Sequence, residues 1–258
     1  RSMNALWIGW PGLDRQMEGA GHAEVTEKLH AQDCHPVFLS QREIDEYYNK
    51  FCSATLWPLF HYFPQYATYS NSTWDAYVKA NLTFCDAIVS TWQQGDIIWV
   101  HDFHLLLLPR LLRERLADPV IGFFLHIPFP SIELFRLLPW RKELLEGMLG
   151  ADLLGFHTWE YAGHFLASVR FLLGYESWMG RIVAGDRVAR VDAFPMGIDY
   201  ERFATTARKA AVTKEVGALD RGLNGRKVIL SVDRLDYTKG IVRRLEAFVL
   251  FLERNPQH

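Results

Sequence analysis

Ile97-Ile98-Trp99-Val100-His101-Asp102 is a run of four apolar residues that stops on two polar ones. The pattern recurs three times. Val120-Ile121-Gly122-Phe123-Phe124-Leu125 runs into His126, Leu153-Leu154-Gly155-Phe156 into His157, and Val228-Ile229-Leu230-Ser231-Val232 into Asp233-Arg234. Short continuous apolar runs between helical stretches read as buried parallel strands. Open α/β sheets bind ligands beyond the carboxyl ends of their strands. The sequence therefore gathers His, Asp and Arg along the edge where such a sheet does its chemistry.

Outward from these runs, helical and extended segments alternate. Residues 4–9 and 36–39 read as strands and 42–51 as a helix, after which Trp57-Pro58 breaks the chain. Ser72 is a candidate cap for a helix whose apolar positions include Trp74, Tyr77, Val78, Leu82, Cys85 and Ile88, with Gly95 as its stop. Helices are expected over 104–116, 132–137 (capped by Ser131), 141–149 and 159–173. Strands are expected over 120–127, 152–156 and 187–194. From Ala204 to Arg226 the composition turns small and charged, which reads as a linker holding a polar helix. A fresh unit follows: a strand over 227–233, a loop over 234–238 and a helix over 239–254. The expected division is a first domain over 1–203, a linker over 204–226, and the start of a second domain over 227–258.

At 258 residues the chain can bury a sizeable core. Its 28 Lys and Arg against 30 Asp and Glu give a formal net charge of −2, with no basic excess to suit nucleic acid. Cys34, Cys52 and Cys85 match neither a disulfide framework nor a metal site. Reduced cysteines and the lack of a visible signal peptide fit a cytoplasmic protein. The longest leucine run, Leu105 to Leu108, stops at Pro109, too short for a membrane span.

Arg234 and Lys239 flank a loop between a strand end and a helix start. Thr238 is a candidate cap, and Gly240 lets backbone approach a ligand closely. Two cations beside a helix N-terminus suit a diphosphate. Spacing alone supports equally a solvated loop whose cations pair with Asp233 and Asp236. In His101-Asp102-Phe103-His104 the spacing does not aim all three polar side chains at one metal. Asp102 either bonds into a cleft or caps the next helix. His126 and His157 sit at strand ends, where structural histidines are common. Tyr47, Tyr48 and Trp57 suit either a ring platform for a sugar or core packing.

Taken together, the motifs resemble those of the trehalose-6-phosphate synthase family. They are Trp7-Ile8-Gly9-Trp10-Pro11-Gly12, Tyr47-Tyr48-Asn49-Lys50-Phe51, Leu56-Trp57-Pro58-Leu59-Phe60-His61 and His101-Asp102-Phe103-His104-Leu105 (the last with Phe103 where the family has Tyr). Phe124-Leu125-His126-Ile127-Pro128-Phe129-Pro130, Leu154-Gly155-Phe156-His157-Thr158, Phe194-Pro195-Met196-Gly197-Ile198-Asp199 and Ser231-Val232-Asp233-Arg234-Leu235-Asp236-Tyr237-Thr238-Lys239-Gly240 complete the set.

The resemblance implies an α/β protein of the GT-B type: a Rossmann-like N-terminal domain with a parallel sheet, plus only the first strand–helix unit of a second such domain. It implies a retaining transfer of glucose from UDP-glucose to glucose-6-phosphate, giving trehalose-6-phosphate and UDP, without a metal or other cofactor. Arg234 and Lys239 would contact the donor diphosphate, His126 and Asp102 the sugar hydroxyls, and Tyr48 and Trp57 the acceptor pocket. Nucleic acid and membrane are not expected partners; a homo-oligomer or a C-terminal phosphatase domain in the parent protein is compatible. The family's usual opening strand, Asn-Arg-Leu-Pro segment and glycine-rich loop do not precede Trp7, and the ribose-binding carboxylates of the second domain are not in the sequence. The chain alone is therefore expected to have little or no activity. Two rival readings stay open. One is a sister transferase with another acceptor, such as glycerol-3-phosphate. The other is a catalytically silent regulatory subunit, which would be free to lose Arg234, Lys239, Asp102 and His126.

Overall fold

The computed structural model describes residues 5–14, 21–224 and 226–257. In chain order its elements are β1 Trp7–Gly9, α1 Gly21–His30, β2 Cys34–Pro36, α2 Gln41–Glu43, a π-helix Ile44–Leu56, α3 Trp57–Phe60, α4 Asn71–Thr91, β3 Ile97–His101, α5 Leu108–Arg115, β4 Val120–Phe124, α6 Ile132–Phe135, α7 Arg141–Met148, β5 Leu153–Phe156 and α8 Trp159–Leu173. They continue with β6 Ser177–Trp178, β7 Arg181–Ala184, β8 Arg187–Ala193, α9 Tyr200–Ala207, α10 Ala210–Leu223 and α11 Ile241–Arg254. The chain forms two compact units, divided between Met196 and Gly197.

In the first unit a six-stranded sheet has the order β3-β4-β5-β8-β7-β6. Its first four strands are parallel, with Ile97 opposite Val120, His101 opposite Phe124, Phe124 opposite Gly155 and Phe156 opposite Ala193. Ile121, Phe123, Leu154 and Phe156 are buried with Leu112, Leu144, Phe165 and Val169 from the flanking helices. Gly155 is required where it stands: a Cβ there would lie 2.6 Å from the Phe124 ring. β6 and β7 add an antiparallel edge absent from the sequence reading, turning through Met179 and Gly180, both at positive φ. Positive φ at both central residues suits a two-residue hairpin turn.

The strands nearest the amino terminus form a separate two-stranded parallel sheet, β1-β2. The second of them lies over Cys34–Pro36 instead of 36–39. The pairing closes just past Pro36, where the Val37 N–H donates to the Gly9 carbonyl at 2.8 Å. Asn4, at the expected start of the first strand, lies outside the described residues.

Trp57-Pro58 does not break the chain. Helical structure runs from 41 to 60, opened by a capping box in which Ser40 and Glu43 bond each other's backbone N–H. Trp57 donates its N–H to the Cys52 carbonyl, five residues back. This wider spacing ends where Pro58 falls in the first turn of α3, a position that tolerates proline. α4 starts after Ser70, not Ser72. Ser72 instead shares a hydroxyl bond with Ser70 at 3.0 Å. The helix expected over 104–116 divides into a 3-10 turn, Phe103–Leu105, and α5, whose first turn takes Pro109.

At the amino ends of the strands, Asp152 joins several segments. It receives Arg113 on both oxygens at 2.7 Å, Arg187 at 2.9 Å and the Ile121 N–H at 2.7 Å. Arg113 also donates to the Gly150 and Pro119 carbonyls, and Arg187 to Leu149 and Gly150.

The second unit holds α9, α10 and α11. The strand expected over 227–233 makes no ladder: among the described residues every strand lies in the first unit. Leu230 and Val232 are 81% and 84% exposed. Among the described residues no helix is long and apolar enough to cross a membrane.

Candidate active site

Parallel registry builds the site. Because His101 lies opposite Phe124, the next residue, Asp102, reaches the Phe124 carbonyl with its N–H at 2.8 Å. Its side-chain Oδ1 accepts the N–H of His126 at 3.2 Å. The carboxylate therefore spans the ends of β3 and β4 and does not cap the following turn. Asp102 has φ 72° and ψ 172°. That region is almost confined to glycine, and non-glycine residues held in such regions cluster at functional sites.

His101, His126 and His157 follow one another along three adjacent strand ends. His101 Nδ1 and His126 Nε2 are 2.9 Å apart. His126 and His157 meet edge-on at 5.9 Å between ring centroids, and Phe124 lies 4.8 Å from the first and 5.1 Å from the second. Burial, then the charge of His126, lowers the His101 pKa, with Asp102 opposing. Among the described residues no three His, Cys, Asp or Glu side chains converge as a metal site.

Tyr48 and Trp57 flank the turn that follows Asp102. Tyr48 is stacked on His104 at 5.3 Å and 12°, with Trp10 at 5.1 Å on its ring. Trp57 contacts Phe103 at 5.7 Å and His61 at 3.9 Å. Burial lowers the His104 pKa and favours its neutral ring, against the pull of Asp102. Tyr47 points inward and donates to the His104 carbonyl at 3.1 Å. The buried Tyr77 donates to Phe103 O and accepts from Leu106 N, both at 2.9 Å, while Asn81 donates to His104 O at 3.2 Å. Tyr77 and Asn81 thus fix the turn beside Asp102. In sequence Tyr77 counts only as one more ring on an apolar stripe, and nothing distinguishes Asn81.

In the second unit Arg234 and Lys239 are both exposed, and neither forms an ion pair among the described residues. Asp233 is instead engaged by Ser231 at 3.0 Å and Arg244 at 2.8 Å, and these bonds hold its pKa below the ordinary value. The expected cap, Thr238, is itself capped: Asp236 Oδ1 accepts both its N–H and its hydroxyl at 2.9 Å. Gly240 at φ 63° opens α11 after a 3-10 turn, Tyr237–Lys239. Arg244, which also donates to Lys239 O at 2.8 Å, organises this loop and was not singled out in the sequence. Its signal is its place one turn after Gly240.

A parallel sheet with hydrogen-bonding side chains and ring faces beyond its strand ends is the arrangement in which open α/β folds bind ligands. The profile of glycosyltransferase family 20 matches residues 1–258, and the chain belongs to that family. It is 45% identical to the bifunctional trehalose-6-phosphate synthase/phosphatase of Thermoproteus tenax, over 98% of this chain and 34% of that protein. It is 43% identical to a UDP-forming alpha,alpha-trehalose-phosphate synthase of Pichia angusta, over 97% of this chain and 54% of that protein. The solved UDP-forming synthase of Burkholderia xenovorans, in complex with glucose-6-phosphate, superposes with a TM-score of 0.84 at 32% identity, over 98% of this chain and 56% of that one. The chain thus spans about a third to a half of the length of its curated relatives.

Proposed function

We propose that this chain is part of a UDP-forming trehalose-phosphate synthase that moves glucose from UDP-glucose to glucose-6-phosphate with retention. The observation behind this reading is the Asp102–His126 bond across the ends of β3 and β4, with Tyr48 and Trp57 packed on the turn that follows Asp102. Asp102 and His126 would bind sugar hydroxyls, while Tyr48 and Trp57 would line the acceptor pocket with ring faces. Two relatives named as synthases, one described with glucose-6-phosphate, support the substrates. In the Thermoproteus tenax relative a phosphatase shares the chain, an arrangement the parent of this chain could share.

In the proposed reaction the bond from the glucose anomeric carbon to the diphosphate breaks, and a bond to the acceptor oxygen forms on the same face. The acceptor's proton passes to the departing phosphate oxygen. Negative charge grows on the UDP, and Arg234 and Lys239 would stabilise it. Losing one preorganised partner of developing charge costs about 2.7–4 kcal/mol. Arg234→Ala in the full-length enzyme is therefore expected to lower UDP release by roughly two to three orders of magnitude. A loss below about fivefold would remove Arg234 from this role. Residues 1–258 alone are expected to show little or no turnover in the same assay.

A further inference from the structure

We propose that His101 is a positioning residue for His126. It accepts the His126 Nε2–H on its own Nδ1 and so holds His126 in a single tautomer, with Nδ1 bare and able to accept a hydrogen bond from a sugar hydroxyl. The inference rests on the sugar-binding role proposed for His126.

At 2.9 Å between two imidazole nitrogens, one nitrogen must bear a hydrogen and the other a lone pair. The His101 ring has aromatic neighbours besides His126. It lies against Trp99 at 4.7 Å and stacks on Trp7 at 5.9 Å and 27°. Burial and the neighbouring imidazole also favour its neutral form, which leaves one ring nitrogen bare. A free neutral histidine prefers its proton on Nε2. If both rings keep that preference, the facing atoms are a donor on His126 and a lone pair on His101. The reverse assignment puts both rings in the less favoured form. His126 is steadied from two further sides: its backbone N–H is held by Asp102, and the Phe124 and His157 rings flank it. Among the described residues its Nδ1 has no partner. The partner of one ring nitrogen thus decides what the other can do.

Long-range 1H–15N correlation spectra of the 15N-labelled chain at mildly alkaline pH read the tautomer directly. The proposal expects His126 with Nε2 protonated and Nδ1 bare. His101→Asn, whose carboxamide oxygen can stand near the lost Nδ1, should keep that pattern. His101→Phe keeps a ring against the two tryptophans but offers no acceptor, so the two His126 nitrogens should shift toward averaged values. A wild-type His126 protonated on Nδ1, one already averaged, or one unchanged by His101→Phe would overturn the proposal. In the full-length enzyme, His101→Phe should lower kcat about tenfold with a smaller change in KM, and His101→Asn should recover most of it. If the tautomer shifts while kcat does not, the positioning stands and the sugar role of His126 falls. If the full-length enzyme releases no UDP at all, the transferase reading fails and the spectra still decide the tautomer.

Discussion

Asp102 combines a strained backbone with a cross-strand bond, and the two effects can be separated by substitution. At φ 72° and ψ 172° any residue with a Cβ is strained, whereas glycine is not. Asp102→Gly and Asp102→Ala both remove the oxygen that accepts the His126 N–H, but only glycine relieves the backbone. The glycine variant is therefore expected to be more stable than the alanine variant by about 1–2 kcal/mol in urea unfolding, despite its greater chain entropy. Both should lose activity in the full-length enzyme. An alanine variant as stable as the glycine variant would show that the backbone there is unstrained. Such a residue keeps its carboxylate at a cost to stability.

The elements are held together from the edge of the sheet opposite the candidate site. Burial raises the Asp152 pKa, but the Ile121 N–H bond, the Arg113 pair and the Arg187 charge outweigh it and leave the carboxyl below its ordinary value. A depressed folded-state pKa stabilises fully above the unfolded value of about 3.9, and the gain is lost as pH falls through the folded value. Asp152→Asn should cost about 1–2 kcal/mol at neutral pH, a figure already reduced for its partial exposure. The gap between the variant and wild type should close in strong acid, and a gap constant with pH would count against the ionic account. Element identity was legible in sequence wherever the signals were local. The expected helix over 159–173 coincides with α8, which the structure shows capped by Thr158 and ended by Gly174 at φ 78°. The parallel strands β3, β4 and β5 were legible from their apolar runs, whereas β2, Cys34-His35-Pro36, carries no such run. The hairpin β6–β7 was not, because its strands are short and largely exposed. The run over 227–233 has a strand's composition, but a ladder needs a second strand. In the site, residue types were legible while the His101–His126 contact was not, since 25 positions separate the two and only registry brings them together.

At the scale of the whole chain the two units differ in how much they bury. The first has a continuous apolar core, whereas α9, α10 and α11 contain no buried residue. Leu245 is 62% exposed and Val242 67%. Backbone groups with so little packed around them open at low free energy. In the 258-residue chain, amides of α9–α11 should therefore exchange with deuterium orders of magnitude faster than those of β4 and β5, and equal protection would contradict this. Within the first unit, the grip of Asp152 on Ile121 lies five residues, about 16 Å of extended strand, before His126. Substitutions that stiffen the scaffold can accumulate at one rim of the sheet without disturbing the candidate site at the other. A lineage of such proteins, or an engineer, could raise heat tolerance and retune ligand choice as separate projects.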